Sequence, residues 1–107
     1  MSDDGITFIP DLDAEAVPPA RGILSLTRYD GEDVRVVLFG FAPGEELSEH
    51  TAARPAIVHI LAGEGSAVVG GDPHRLAPGT WFRMPARTTH SIHAETPLTM
   101  ALYLLGH

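Results

Sequence analysis

Glycine and proline residues interrupt this chain at short, nearly regular intervals, and this spacing limits what it can fold into. Eleven glycines and nine prolines occur in 107 residues, and most of them separate short apolar runs. No stretch shows a sustained period of 3.6 residues bounded by helix caps. Many short strand-like runs joined by turn residues predict an all-β fold, either a sandwich or a barrel.

The predicted elements divide the chain into a short N-terminal part and one β-domain. Residues 1–22 are expected to form an edge strand at residues 6–9 and then an acidic loop, in which Pro18 and Pro19 exclude helix. Residues 23–107 are expected to form the domain, because a chain of 107 residues can bury one core. The strands predicted within it are residues 23–29, 34–41, 56–62, 66–69, 74–76, 80–84 and 98–105.

Composition excludes several classes of function. The net charge is −7, and the seven basic residues are scattered among fourteen acidic ones, so no nucleic acid partner is expected. No apolar run is long enough to span a membrane, and the acidic N-terminus lacks the pattern of a secretory signal, which favours a cytoplasmic location. The absence of cysteine excludes disulfides, thiolate metal ligands and a cysteine nucleophile.

Two blocks of residues carry a more specific pattern. Gly44, His50 and Gly63 have the spacing of one motif, and Gly79, Pro85-Ala86-Arg87 and His90 have nearly the spacing of a second. Together these blocks resemble the two motifs of the cupin family, across roughly residues 34–105. The resemblance implies a double-stranded β-helix, which is a jelly-roll barrel of two facing antiparallel sheets and is often dimeric.

The chain departs from the family's motifs at three positions. The family's usual site holds one divalent metal ion with three histidines and one glutamate, but Ala52 and Ala56 stand where the second histidine and the glutamate would be. Arg87 replaces the glycine of the second motif. Since two imidazoles are an incomplete ligand set, we expect at most a weak site for zinc, iron, nickel or copper at His50 and His90.

Alternation of side chains along strands predicts which residues face the barrel interior. His59 and His93 are offset from the inward positions and are expected to face outward, unless a bulge turns one of them inward as a third ligand. The two alanines should leave a wide, apolar pocket that suits a small organic molecule. The predicted pocket residues are His50, His90, Ala52, Ala56, Val58 and Ile60.

These observations favour a small-molecule-binding protein with a degenerate metal site, and they leave two enzymatic alternatives open. One is a metal-dependent dioxygenase or isomerase with a rebuilt ligand set. The other is a metal-free isomerase that uses His50 or His90 as a general acid or base. Three arginines could meet a carboxylate or phosphate on a ligand, although surface arginines are ordinary in an acidic protein. They are Arg54, Arg83 and Arg87. The remaining histidines, His74 and His107, are expected to be solvated.

The last predicted strand indicates that something outside the core packs against its second apolar face. Residues 98–105 are apolar on both faces, as are residues 36–39, and a chain with one core can bury only one of those faces inside. A symmetric homodimer would cover the other face. The alternative is that the acidic N-terminal segment folds over it.

Overall fold

The computed structural model describes residues 5–106, and within them nine strands form two antiparallel sheets. This confirms the predicted all-β jelly roll. The strands are β1 (Ile23–Asp30), β2 (Val34–Phe41), β3 (Glu46–His50), β4 (Ala56–Ala62), β5 (Gly65–Val69), β6 (Asp72–Leu76), β7 (Trp81–Met84), β8 (His90–Ala94) and β9 (Leu98–Leu105). Among residues 5–106 there is no helix long and apolar enough to cross a membrane.

The two sheets face each other around one core. The five-stranded sheet has the order β1-β2-β9-β4-β7, and the four-stranded sheet has the order β3-β8-β5-β6. Short connections join β2 to β3 and β4 to β5, so β3 lies opposite β2 and β5 lies opposite β4. Alternate residues of each strand point into the space between the sheets. The largest fully buried apolar side chains in this space are Phe41, Ile60, Leu76, Met84, Ile92, Leu98 and Val58.

One glycine of the first motif marks a close approach between two chain segments. Gly63 follows β4 in the connection that crosses to β5 of the other sheet, and it has a φ of 88°, which glycine adopts without the strain that a side chain brings. A Cβ atom at this position would collide with the carbonyl oxygen of Pro97. The glycine therefore allows the β4–β5 turn to pack directly against the start of β9.

The predicted edge strand at residues 6–9 is wrong. These residues are irregular, and the one regular element before β1 in the described part of the chain is a 3-10 helix at Asp13–Glu15. The physical reason is that this segment does not run along a sheet edge, where its backbone could pair. It crosses the outer face of the five-stranded sheet, where Thr7 and Ile9 line a groove of about 360 Å³ together with Tyr29 and Tyr103.

This N-terminal strap, residues 5–22, covers part of the outer face of the five-stranded sheet. Ala16 is fully buried there against Leu38 and Ala101, which are also fully buried. The hydroxyl of Thr99 donates to the carbonyl oxygen of Ala16 at 3.4 Å. A Cβ atom on Gly40 would lie 2.7 Å from the same oxygen, so only glycine fits beneath the strap. The alternative in which the N-terminal segment folds over the second apolar face is therefore seen for this part of the sheet.

Replacing Ala16 by aspartate is expected to destabilise the protein by about 2–4 kcal/mol, because an unpaired carboxylate cannot be buried between strap and sheet. The matched change Ala14→Asp places the same charge on an exposed residue of the 3-10 helix and should cost less than about 0.5 kcal/mol. Urea unfolding followed by circular dichroism measures both free energies. Equal losses in the two variants would contradict the packing of the strap.

Candidate functional site

Two histidines meet at one end of the barrel. β3 ends at His50 and β8 begins at His90, and the two residues are direct cross-strand partners. Their ring centroids are 4.1 Å apart, with an angle of 53° between the ring planes. His90 is buried, with 6% of its surface exposed, whereas His50 is exposed to solvent. The structure thus brings together the pair that the sequence singled out, at what we call the histidine end of the barrel.

A β-bulge in β3 makes this pairing possible. Leu47 pairs with Ile92 and His50 pairs with His90, so three steps along β3 oppose two steps along β8. A regular strand would have placed Glu49 opposite His90, because side chains alternate with a period of two. The extra residue turns His50 to the same side as His90, which is a common use of bulges next to binding sites.

Backbone carbonyls fix the orientation of both imidazole rings. Nδ1 of His50 lies 2.7 Å from the carbonyl oxygen of Ser48, and Nδ1 of His90 lies 2.9 Å from that of Thr88. A carbonyl oxygen only accepts, so each Nδ1 carries the proton and donates it. In the neutral rings both Nε2 atoms are therefore unprotonated and available as acceptors or ligands.

The charge state of His90 depends mainly on its burial. Burial lowers the pKa of this imidazole below its usual value, and the charge of nearby His50 lowers the pKa further, while the hydrogen bond to the carbonyl of Thr88 opposes both effects. At neutral pH His90 is therefore the neutral tautomer with a free Nε2.

The turn before β8 positions His90. The backbone N–H of Arg87 donates to the carbonyl oxygen of Ala52 at 2.7 Å, and the hydroxyl of Thr88 donates to the carbonyl oxygen of Pro85 at 2.9 Å. Arg87 has a φ of 66°, in the left-handed region that glycine favours. The conformation expected of a glycine in the second motif is thus kept by an arginine, and it ties the turn to the loop at residues 51–55.

The other predicted pocket residues lie deeper or elsewhere. Ala56, Val58 and Ile60 all point between the sheets, as alternation predicts, but each is at most 1% exposed and belongs to the packed core. Ala52 is half-buried in the loop after β3 rather than on a strand, because β3 ends at His50 and the alternation does not continue unbroken into β4. The accessible part of the site is therefore confined to the histidine end.

His59 and His93 do not complete a metal site. His59 lies on the outer side of β4, where it neighbours Trp81 and Ala101. His93 lies on the outer side of β8 with Nδ1 3.7 Å from a carboxylate oxygen of Glu46. Residues 5–106 contain no group of three or more histidine, aspartate or glutamate side chains that could hold a metal ion. Two imidazoles do not fit a tightly held catalytic metal, which usually has at least three protein ligands.

The last two histidines do not join the pair. His74 is exposed and lines a cleft of about 240 Å³ between the edge strands β6 and β7, together with Val69, Trp81 and Phe82. His107 lies outside the described residues.

Arg35 belongs to the inner face and was missed by the sequence reasoning. It alternates with Val37 and Phe39, which point between the sheets, and it pairs with Leu104 of β9. Its Nε is buried and has no hydrogen-bond partner within residues 5–106, while Nη2 donates weakly to the hydroxyl of Thr27 at 3.4 Å. The signal was its position two residues before Val37, which the run of consecutive apolar residues after it obscured.

The three arginines considered from the sequence have other surroundings. Arg54 donates to the carbonyl oxygens of Leu104 and Leu105 at 3.0 and 3.4 Å, so it fastens the end of β9. Arg83 and Arg87 are exposed. None of the three is brought next to the histidine pair by the contacts of the described chain.

Comparison with known proteins agrees with this architecture. Residues 37–105 match the family described as the cupin domain, and no curated protein matches the chain. A conserved protein of unknown function from Streptococcus pyogenes is 25% identical, with a TM-score of 0.83 over 95% of this chain and 90% of that one.

Two further solved structures are similar. A cupin superfamily protein from Desulfitobacterium hafniense DCB-2 is 27% identical, with a TM-score of 0.74 over 80% of this chain and 79% of that one. KdgF from Halomonas sp. is 26% identical, with a TM-score of 0.72 over 80% and 81% of the two chains. With the family match over most of its length and this shared fold, the chain belongs to the cupin family.

Proposed function

We propose that this cupin binds a small organic molecule at the histidine end, in contact with Nε2 of His50 and of His90. The observation that supports the proposal is that backbone carbonyls hold both Nδ1 atoms, which leaves two unprotonated nitrogens close together at an accessible barrel mouth. Fixed acceptors of this kind orient a ligand without a rotamer cost. Because Val58 and Ile60 are closed within the core, the ligand is small and does not enter deeply.

The same two histidines bind a divalent metal ion weakly at most. The anchored Nδ1 atoms orient the rings as in metal sites, where histidine donates its other N–H to a carbonyl or carboxylate. Two protein donors nevertheless leave most of the coordination shell to water. We therefore assign the primary role of His50 and His90 to direct contact with the organic ligand.

Metal-independent proton transfer is the second candidate function. His90 is neutral at pH 7 because burial lowers its pKa, and its free Nε2 is a base within a partly desolvated mouth. If Nε2 of His90 abstracts a proton from one carbon of the ligand and returns it to a neighbouring carbon, the result is an isomerisation without metal.

Metal analysis of untagged protein tests the assignment of the histidine pair. The wild type is expected to contain far less than one metal ion per chain, and its weak Zn²⁺ binding in calorimetry should fall by about tenfold or more in His90→Ala. His59→Ala, on the outer side of β4, is the control and should leave Zn²⁺ binding unchanged. Near-stoichiometric metal that both His50→Ala and His90→Ala abolish would instead support the metal-dependent enzyme.

The ionisation of His90 gives a pH dependence of stability. Its folded pKa is lowered, so between that value and about 6.5 the unfolded chain binds more protons, and stability falls as the pH decreases through this window. His90→Gln should remove this part of the loss, measured as urea unfolding free energies at about pH 7.5 and 5.5. NMR titration should place the His90 pKa below 6.5 in the wild type and closer to it in His50→Ala, since one cause of the lowering is then gone. An unchanged pKa in His50→Ala would contradict the coupling of the two rings.

A homodimer remains our proposal for the assembly. Three large apolar side chains of the strap stay exposed, Ile6 at 75%, Phe8 at 80% and Val17 at 67% of their surface, and a symmetric partner would cover them. Light scattering at micromolar concentration should give twice the chain mass of 11.4 kDa, and Phe8→Ser should shift the protein towards the monomer. A monomer mass for the wild type would rule the dimer out.

A further inference from the structure

We infer that the ligand is a small hydroxycarboxylate and that Arg35 binds its carboxylate; this inference rests on the proposed function. The histidine pair offers acceptors, and Arg35 offers donors and a positive charge. A molecule that satisfies both has a negatively charged acceptor at one end and a hydroxyl donor at the other.

Chain direction places Arg35 at the same end of the barrel as the histidines. β2 begins at Val34, runs away from this end, and is followed by β3, which returns and ends at His50. The register agrees, because Arg35 pairs with Leu104 and Leu104 pairs with Ala56, the first residue of β4 after the loop that follows His50. β2 and β3 lie on opposite sheets, and facing sheets are about 10 Å apart. The guanidinium and the imidazoles therefore belong to opposite walls of one mouth.

Arg35 lies opposite Asp30 of β1 in the register, but no ion pair joins the two side chains. Arg28 pairs with Glu15 at 3.0 Å, and Arg75 forms a two-pronged pair with Glu95 at 2.6 and 3.0 Å. Arg35, although half-buried, forms no ion pair with any residue from 5 to 106. This is notable in a protein with fourteen acidic residues.

The hydrogen bonds of Arg35 are also incomplete. Within residues 5–106 its Nε is buried without an acceptor, and its one hydrogen bond, from Nη2 to the hydroxyl of Thr27, is long at 3.4 Å. Buried donors are nearly always satisfied in folded proteins, so an unsatisfied one points to a partner from outside the chain. The planar guanidinium fork matches a carboxylate, which accepts two parallel hydrogen bonds.

The surroundings favour one negative charge and a short carbon chain. Arg35 presents one planar guanidinium fork, which matches one carboxylate. On the same inner face Met84 and Ala56 are at most 2% exposed, and only Leu104 is partly accessible, so there is room for a short carbon chain and no more. The unprotonated Nε2 atoms require a donor on the ligand, which a hydroxyl provides and a plain hydrocarbon does not.

Three matched small molecules test the carboxylate contact of Arg35 and the hydroxyl contact of the histidines separately. The probes are 3-hydroxybutyrate, butyrate, which lacks the hydroxyl, and 3-hydroxybutyramide, which lacks the charge. In NMR titrations at millimolar concentrations, 3-hydroxybutyrate should shift both the Arg35 Nε–H signal and the ring signals of His50 and His90. Butyrate should shift Arg35 and leave the ring signals nearly unchanged. The amide should bind more weakly than 3-hydroxybutyrate by about tenfold or more.

A variant tests the role of Arg35 directly. Arg35→Gln should weaken 3-hydroxybutyrate binding by about tenfold or more while changing the affinity for the amide by less than about twofold. Arg83→Gln makes the same change of charge at an exposed position of β7 and should leave both affinities unchanged. The titration of the wild-type Arg35 signal does not depend on whether Arg35→Gln folds.

The outcomes distinguish the inference from the function on which it rests. If the hydroxycarboxylate and its amide move the histidine signals equally, and Arg35→Gln changes neither affinity, the carboxylate assignment is wrong and the proposed function stands. If carboxylates move Arg35 but no probe moves either histidine, the proposed function is wrong and the joint site fails with it. An Arg35 signal that no carboxylate moves overturns the inference.

Discussion

The pairing of β9 on both sides is the constraint on which the rest of the structure depends. β9 lies between β2 and β4 and pairs with both along its length, so its residues cannot change register without moving the whole five-stranded sheet. Met100, Leu102 and Leu104 then face the core, and Thr99, Ala101 and Tyr103 face outward. An outward face that is also apolar needs a cover, and the strap packs Ala16 onto it.

The same register determines which polar side chains lie at the histidine end of the barrel. On β2 the alternation that buries Phe39 and Val37 continues to Arg35, and on β8 the alternation that buries Ile92 continues to His90. Both chains of alternating residues reach the surface at the same end of the barrel, where the side chains can be polar because solvent is near. Arg35 and His90 therefore occupy the same inward positions of their strands as the core residues. His50 is the exception, because a bulge in β3 turns its side chain inward.

Sequence reasoning succeeded where a single period governs a strand. It predicted the strands at residues 34–41, 56–62 and 98–105 with the bounds seen in β2, β4 and β9. It also predicted the outward direction of His59 and His93, because each is an odd number of residues from an inward neighbour on the same strand.

It failed where a local irregularity or a distant contact decides the outcome. The bulge between Leu47 and His50 has no marker in composition. The end of β3 at His50 has none either, so the alternation expected to continue from His50 to Ala52 stops in a loop. The apolar alternation of residues 6–9 suggested a strand, but a segment that lies across a sheet face contributes side chains without pairing its backbone. The sequence did not single out Arg35. What distinguishes it is that its buried Nε has no acceptor within residues 5–106, and only the three-dimensional structure shows this.

The anchoring of both Nδ1 atoms has a different consequence in a site with two histidines than in one with a full ligand set. Where a metal is present, such hydrogen bonds direct Nε2 at the ion and the lone pair is consumed in the bond. With alanine at positions 52 and 56, the same hydrogen bonds leave the Nε2 lone pairs of the neutral rings free to accept a hydrogen bond. Burial, and to a lesser extent the charge of nearby His50, lowers the pKa of His90 and so favours its neutral ring. In the function that we propose, these acceptors orient a hydrogen-bond donor of the ligand, and Arg35 binds the ligand's carboxylate from the opposite sheet.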